Sequence, residues 1–275
     1  MKVALVTDSN AQMPPVLVER YGVAVVPLIV TVDGEEFSER VNLSDADFYS
    51  RLAEGATVTT AAPAPGAFLA AYEGMASAGA DAVLSIHVGS NTSATMNSVT
   101  IAAGLSPIPV TAVDSGTASF AVGCCVWAAG EALVTGGSLD DARRAAEHVA
   151  ASVGNVFVVG ALGLARAGGR LSSDAEVGEG APVLALEGGQ MCPLARVHSD
   201  AAAVEAMATY IETRALGHRQ RIGVGDAGAD DLALALIARL ERGDCVGELV
   251  RYAIGPSVGA HTGTGTVGAV FFPLG

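Results

Sequence analysis

Apolar runs along this chain come in two lengths and alternate with each other. Short runs that stop at a polar pair read as buried strands: Val3–Thr7 ends at Asp8-Ser9, and Ile108–Val113 ends at Asp114-Ser115. Asp81–Val88 (DAVLSIHV) has the same character, and Gly22–Val32 reads as one longer strand. Between them lie stretches of helical period. NLSDADFYSRLAEG opens with Ser44 and Asp47 at capping-box spacing, and SLDDARRAAEHVAASVG opens with Ser138 and Asp141 in the same way. Pro63 to Gly74 carries Pro65 near its start and an apolar face at Phe68, Leu69 and Tyr72. GSNTSATMNSV turns into a helix, and Phe120–Val134 is apolar on every side, as a buried helix is.

This alternation predicts an α/β domain with a mainly parallel sheet over residues 1–150. Residues 151–275 read differently. Strands are expected at Val156–Val159, Val183–Leu186, Arg221–Val224, Glu248–Ile254 and Val267–Phe272, and helices at Ala201–Arg214 and Ala229–Arg242. That order predicts a second, α+β domain. The stretch from 165 to 195 is irregular and glycine-rich.

Charge narrows the function. The formal net charge is −14 over 275 residues, with no basic footprint for nucleic acid and no polybasic membrane anchor. Lys2 is the only lysine, so there is neither a GxxxxGK phosphate loop nor an interior Schiff-base lysine. The five apolar residues before Asp8 are too few for a signal-peptide core, and no apolar run reaches membrane-helix length. Cys124, Cys125, Cys192 and Cys245 form no CxxC pair, so neither a zinc site nor a disulfide framework is expected. A reduced, cytoplasmic protein without a metal or cofactor is the expectation.

Two glycine patterns imitate a dinucleotide loop. Gly263, Gly265 and Gly268 leave too little chain for the helix that must follow. Gly223, Gly225 and Gly228 do lie between a strand and a helix. There, however, Asp226 would repel phosphate, and Asp244 comes sixteen residues after Gly228, short of the usual ribose acid.

Small hydroxyl residues cluster after the strands of the first domain: Thr7 and Ser9, Ser90 to Thr95, Thr117 and Ser119, with Thr59-Thr60 before a helix. Carboxyl ends of strands and helix N-termini suit a small anionic head group. Each such residue alone is an ordinary cap or turn residue, and Asp8 and Asp114 are better suited to tying down loop backbone than to acid chemistry.

Six segments in order resemble the DegV family of bacterial fatty-acid-binding proteins: TDS at Thr7–Ser9, TTAAP at Thr59–Pro63, SNTSAT at Ser90–Thr95, VDS at Val113–Ser115, AGGRLS at Ala167–Ser172 and the closing IGPSVGAHTGTGTVGAVF. Ala61, Ala62, Thr92 and Ala94 depart from the family pattern. The resemblance implies a two-domain protein with a long-chain fatty acid between the domains. It implies a non-catalytic carrier that presents the carboxylate to a fatty acid kinase. Carried over residue by residue, it implies Thr60, Ser93, Thr95, Arg170 and His261 as ligand-binding residues, with His261 reaching the carboxylate from the second domain. His87, His148, His198 and His218 lack such a motif context.

Two other functions compete. One is an acyl hydrolase using Ser93 and His261 with Asp8 or Asp114, although no G-x-S-x-G elbow is present. The other is a nucleotide-binding protein using Gly223 to Gly228.

Overall fold

The structure, a computed structural model, describes residues 1–167, 179–187 and 190–274. The chain divides into two compact units, residues 1–44 with 57–152 and residues 45–56 with 153–275. In chain order, the first unit carries β1 (Val3–Asp8), α1 (Pro15–Tyr21), β2 (Ala24–Val26), β3 (Ile29–Val32) and β4 (Glu35–Ser38). Helix α2 (Asp45–Ala53) belongs to the second unit. The first unit resumes with β5 (Val58–Ala61), α3 (Pro65–Ser77), β6 (Ala82–His87), α4 (Thr95–Ala103), β7 (Val110–Asp114), α5 (Phe120–Val134) and α6 (Leu139–Ser152). The second continues with β8 (Gly154–Val158), α7 (Leu162–Ala167), β9 (Ala181–Glu187), β10 (Gln190–Val197), α8 (Asp200–Ala215), β11 (Gln220–Asp226), α9 (Asp230–Leu240), β12 (Val246–Ala253), α10 (Pro256–Thr262) and β13 (Val267–Pro273).

In the first unit a parallel sheet of order β2-β1-β6-β7 has helices following its strands, as expected of an α/β domain. Central β6 is buried along its whole length, which is why DAVLSIHV reads as a continuous rather than an alternating run. Helix α5 is buried from Phe120 to Gly130, as its all-round apolar sequence requires. Ser138 and Asp141 form the expected reciprocal cap of α6: the Ser138 amide donates to Asp141 at 2.8 Å and the Asp141 amide to Ser138 at 3.2 Å.

Gly22–Val32 is not one strand. It is split between β2, on the edge of the parallel sheet, and β3, in a separate antiparallel sheet of order β4-β3-β5. Pro27 stands at the break; it has no N–H for a ladder and its φ is fixed, so an apolar run hides a change of sheet there.

In the second unit the sheet order is β10-β9-β8-β13-β11-β12, antiparallel except for the β11–β12 pair. Met207, Ile211, Leu236 and Leu240 of α8 and α9 close the core with Val156, Val224 and Val267 of the sheet. The closing glycine-rich segment contains the helix α10. Pro256 starts it. Gly259 lies so close to the Tyr49 ring of α2 that a Cβ would not fit, and the Tyr49 hydroxyl donates to Ile254 O at 2.7 Å. Tertiary contact therefore makes a helix of a sequence with weak helical propensity.

Buried Thr266 anchors the end of this segment. Its hydroxyl faces the Thr262 and Gly263 carbonyls at 2.9 and 2.8 Å and accepts the Gly160 amide at 3.0 Å. Thr266→Val keeps the shape and removes these bonds, so we expect a loss of about 1–3 kcal/mol in urea unfolding. An unchanged midpoint would show that packing alone holds the segment.

Candidate functional site

Three consecutive residues at the carboxyl end of β1 each reach a different part of the first unit. The Thr7 hydroxyl donates to Ile86 O at 2.7 Å, fixing β1 to β6. One Asp8 oxygen accepts the Asn10 amide at 3.0 Å; the other accepts the Val88 amide at 3.1 Å and lies 2.9 Å from His87 Nδ1. Ser9 accepts the Leu28 amide at 2.9 Å and donates to the buried Glu39 carboxylate. The Glu39 amide donates in turn to Leu28 O at 2.9 Å, so Ser9, Leu28 and Glu39 close a ring at the point where the chain enters the small sheet. This triplet is a hub, with one arm to the loop after β6 and one to the sheet that carries Thr60.

The loop from Val88 to Ala94 is held from both sides. Asp8 grips it at Val88; Asp114, at the end of β7, accepts the Ser90 amide at 3.1 Å and the Gly116 amide at 3.0 Å. Gly89 lies against Gly116 with no room for a Cβ, which accounts for a glycine there. The Thr92 and Ser93 amides both donate to Gly89 O. This turn delivers Ser93 to the start of α4. Ser93 Oγ accepts the Thr95 amide at 3.2 Å and lies 2.9 Å from Thr95 Oγ1. Thr95 is fully buried and Ser93 is half-buried. With Thr95 donating to Ser93, the Ser93 proton is left for an outside acceptor. Of the residues singled out from the sequence, these two are brought together.

Thr60 is on strand β5, not at the carboxyl end of a strand in the parallel sheet. It pairs with Val30, and its face of the small sheet also holds Val32, Phe37 and Val58. The neighbouring Thr59 and Ala61 are exposed, whereas Thr60 is half-buried. The same face carries Glu35 at its far end, so Thr60 is a hydroxyl beside apolar side chains, which suits a ligand with one polar end. His261, in the other unit, is half-buried in the last turn of α10. Arg170 lies outside the described residues.

The glycine loop of the nucleotide reading is occupied by the chain's own groups, and the buried Ser–His–Asp set of the first unit is not the Ser93 and His261 pair of the hydrolase reading. A Ser–His–Asp geometry does exist, but it is Ser85, His87 and Asp8: Ser85 Oγ is 2.6 Å from His87 Nε2, and all three are buried to within 1%. Tyr72 OH is 2.9 Å from the same serine oxygen, so no acyl group reaches it. The sequence signal was two polar residues, Ser85 and His87, two apart on one face of an apolar strand. At the carboxyl end of β11, Tyr252 lies over Gly225, Asp226 accepts the Ala229 amide at 3.2 Å, and Arg251 is bound to Asp226 at 2.7 Å. A phosphate would have to displace that carboxylate. Among the described residues no cluster of His, Cys, Asp and Glu could hold a metal ion, and no helix is long and apolar enough to cross a membrane.

A family model described as "Uncharacterised protein, DegV family" matches residues 2–274. The chain belongs to the DegV family. A DegV domain-containing protein of Streptomyces coelicolor is 36% identical over 98% of this chain and 97% of its own. A solved structure described as fatty acid binding of a DegV family protein from Thermus thermophilus superposes with a TM-score of 0.90 at 32% identity, covering 100% of both chains. DegV of Bacillus subtilis, described as a fatty acid binding protein, superposes with a TM-score of 0.86 at 28% identity over 98% of this chain and 99% of that one.

In this DegV family chain the recurring motifs divide by task. TDS and VDS hold backbone, while SNTSAT exposes a hydroxyl. Burial raises the Asp114 pKa, but the Ser90 hydroxyl and the Gly116 and Ser90 amides outweigh it, and the net shift is downward. Its tether is therefore complete above the ordinary aspartate value of about 3.9 and is lost as pH falls through the lower folded value. The Ser90 and Gly116 amide resonances should titrate with a midpoint below about 3.9 in the parent and not in Asp114→Asn. A midpoint at or above that value would contradict the tether.

Proposed function

We propose that this chain is a non-catalytic carrier that buries one long-chain fatty acid and presents its carboxylate to a fatty acid kinase. Ser93 donates the central hydrogen bond, Thr95 orients Ser93, and Thr60 and His261 complete the head-group site. Arg170 is carried over from the family motif as the positive charge that helps present the carboxylate. The observation that carries this proposal is the Ser93–Thr95 pair: the Thr95 amide donates to Ser93 Oγ and the two hydroxyls lie 2.9 Å apart, so that with Thr95 Oγ1 as donor the Ser93 proton is left for an anion. The relatives from Thermus thermophilus and Bacillus subtilis, described as fatty acid binding, support the same ligand class.

The energetics favour such a ligand. A buried carboxylate needs hydrogen bonds to offset desolvation. A tail of about fourteen methylenes contributes on the order of 11 kcal/mol before association entropy is subtracted. At a net charge of −14 the protein repels anions at long range, so affinity must come from contact with the tail and from local donors.

Ser93→Ala should weaken binding by about 1.5–3 kcal/mol in a fluorescent fatty-acid displacement assay, with the fold intact by circular dichroism. Unchanged affinity would remove Ser93 from the site. Arg170→Ala should reduce acyl-phosphate formation in a kinase-coupled assay more than it reduces lipid binding. Equal losses would mean that Arg170 holds the ligand and does not present it.

A further inference from the structure

The buried chain beneath the Ser93 loop has one consistent arrangement of protons. It runs from Tyr72 OH through Ser85 Oγ and the His87 ring to Asp8, and every member is completely buried. Burial pushes the Tyr72 phenol pKa up, against the opposing Ser85 hydrogen bond, so the phenol keeps its proton. Among the described residues Ser85 is its hydrogen-bond partner. The phenol therefore donates to Ser85, and Ser85 donates to His87 Nε2. The ring proton is then on Nδ1, which donates to Asp8 Oδ2. A proton on Nε2 would either turn the chain round or make Ser85 accept from both neighbours, and in each case one hydroxyl proton, that of Tyr72 or of Ser85, would be left in a dry core without an acceptor among these groups. Phe68 packs edge-on against the imidazole, with centroids 5.0 Å apart, and α3 thus holds the ring with Phe68 and reaches its outer nitrogen from Tyr72 through Ser85.

We infer that His87 is a positioning residue for the head-group site: its Nδ1–H orients the Asp8 carboxylate, which holds the Val88 amide and so sets where Ser93 stands. This rests on the fatty-acid reading of Ser93. Asp8 Oδ2 receives both the His87 ring and the Val88 amide, so loss of the ring donor leaves the carboxylate held by the Asn10 and Val88 amides alone and weakens its orientation at Val88. The displacement passes to the loop, whose Thr92 and Ser93 amides hang from Gly89, the residue next to Val88. The tail does not depend on this register, but the carboxylate does.

The test compares a fatty acid with the fatty alcohol of equal length, in displacement assays on the full chain. Asparagine places an amide N–H where Nδ1 stood; glutamine reaches the position of Nε2. His87→Gln should lose on the order of tenfold in affinity for the acid, the worth of one misplaced charge-assisted hydrogen bond, and little for the alcohol. His87→Asn should recover most of the acid affinity. Tyr72→Phe, which frees Ser85 from the phenol but keeps the ring, should leave the Nδ1–H resonance visible and acid affinity within about twofold. Equal losses for acid and alcohol, or equal behaviour of Asn and Gln, would overturn the positioning role. Ser93→Ala is the separate control: if it does not discriminate acid from alcohol, the head-group assignment itself fails, whatever His87 does. Should the Gln variant not fold, the Asn variant and the Nδ1–H resonance of the parent decide. An Nε2-protonated ring in the parent contradicts the inference.

Discussion

One carboxylate, that of Asp8, ties the first unit together at the place where chemistry is expected. It is buried, and it is tolerated there because two backbone amides and one imidazole N–H point at it. Its neighbours Thr7 and Ser9 extend the same logic to β6 and to the small sheet. A parallel sheet leaves its strand ends as loops, which are free to drift. Here three adjacent polar side chains remove that freedom from two loops at once, and Asp114 restrains the middle loop from its other side. Ser93 is placed through this hub, and Thr60 through the β3–β5 ladder, next to which the Ser9 arm is anchored at Leu28.

The second unit meets the same need by packing. Its closing helix has a proline start, a glycine against Tyr49 and a threonine that collects loose backbone groups at its end. His261 is carried on this helix. Small residues allow the close approach, and the buried hydroxyl of Thr266 satisfies the backbone that the approach exposes.

The strand–helix alternation of the first unit was legible because both periods are strong there, and α5 and α6 lie where the apolar and capping patterns place them. Gly22–Val32 misled because apolar character says nothing about which sheet a strand joins. Strand β10 escaped notice because it runs into the irregular stretch and contains Pro193. Helix α10 was hidden by glycine, whose cost is offset by a contact with a residue two hundred positions away in sequence. At the site, Ser93 was one of several hydroxyls after a strand until the motif resemblance singled it out, and His261 came from the resemblance alone. Asp8 and Asp114 were legible as loop ties from their strand-end positions. The role of His87 was not, since it depends on Tyr72 and Ser85, which meet only when α3 packs on β6.

Native mass spectrometry of the protein as purified tests the central claim most directly. The account predicts one long-chain fatty acid per chain, released on denaturation and restored when fatty acid is added back. An unliganded chain that stays unliganded in the presence of fatty acid, or a chain carrying the mass of a nucleotide, would contradict it.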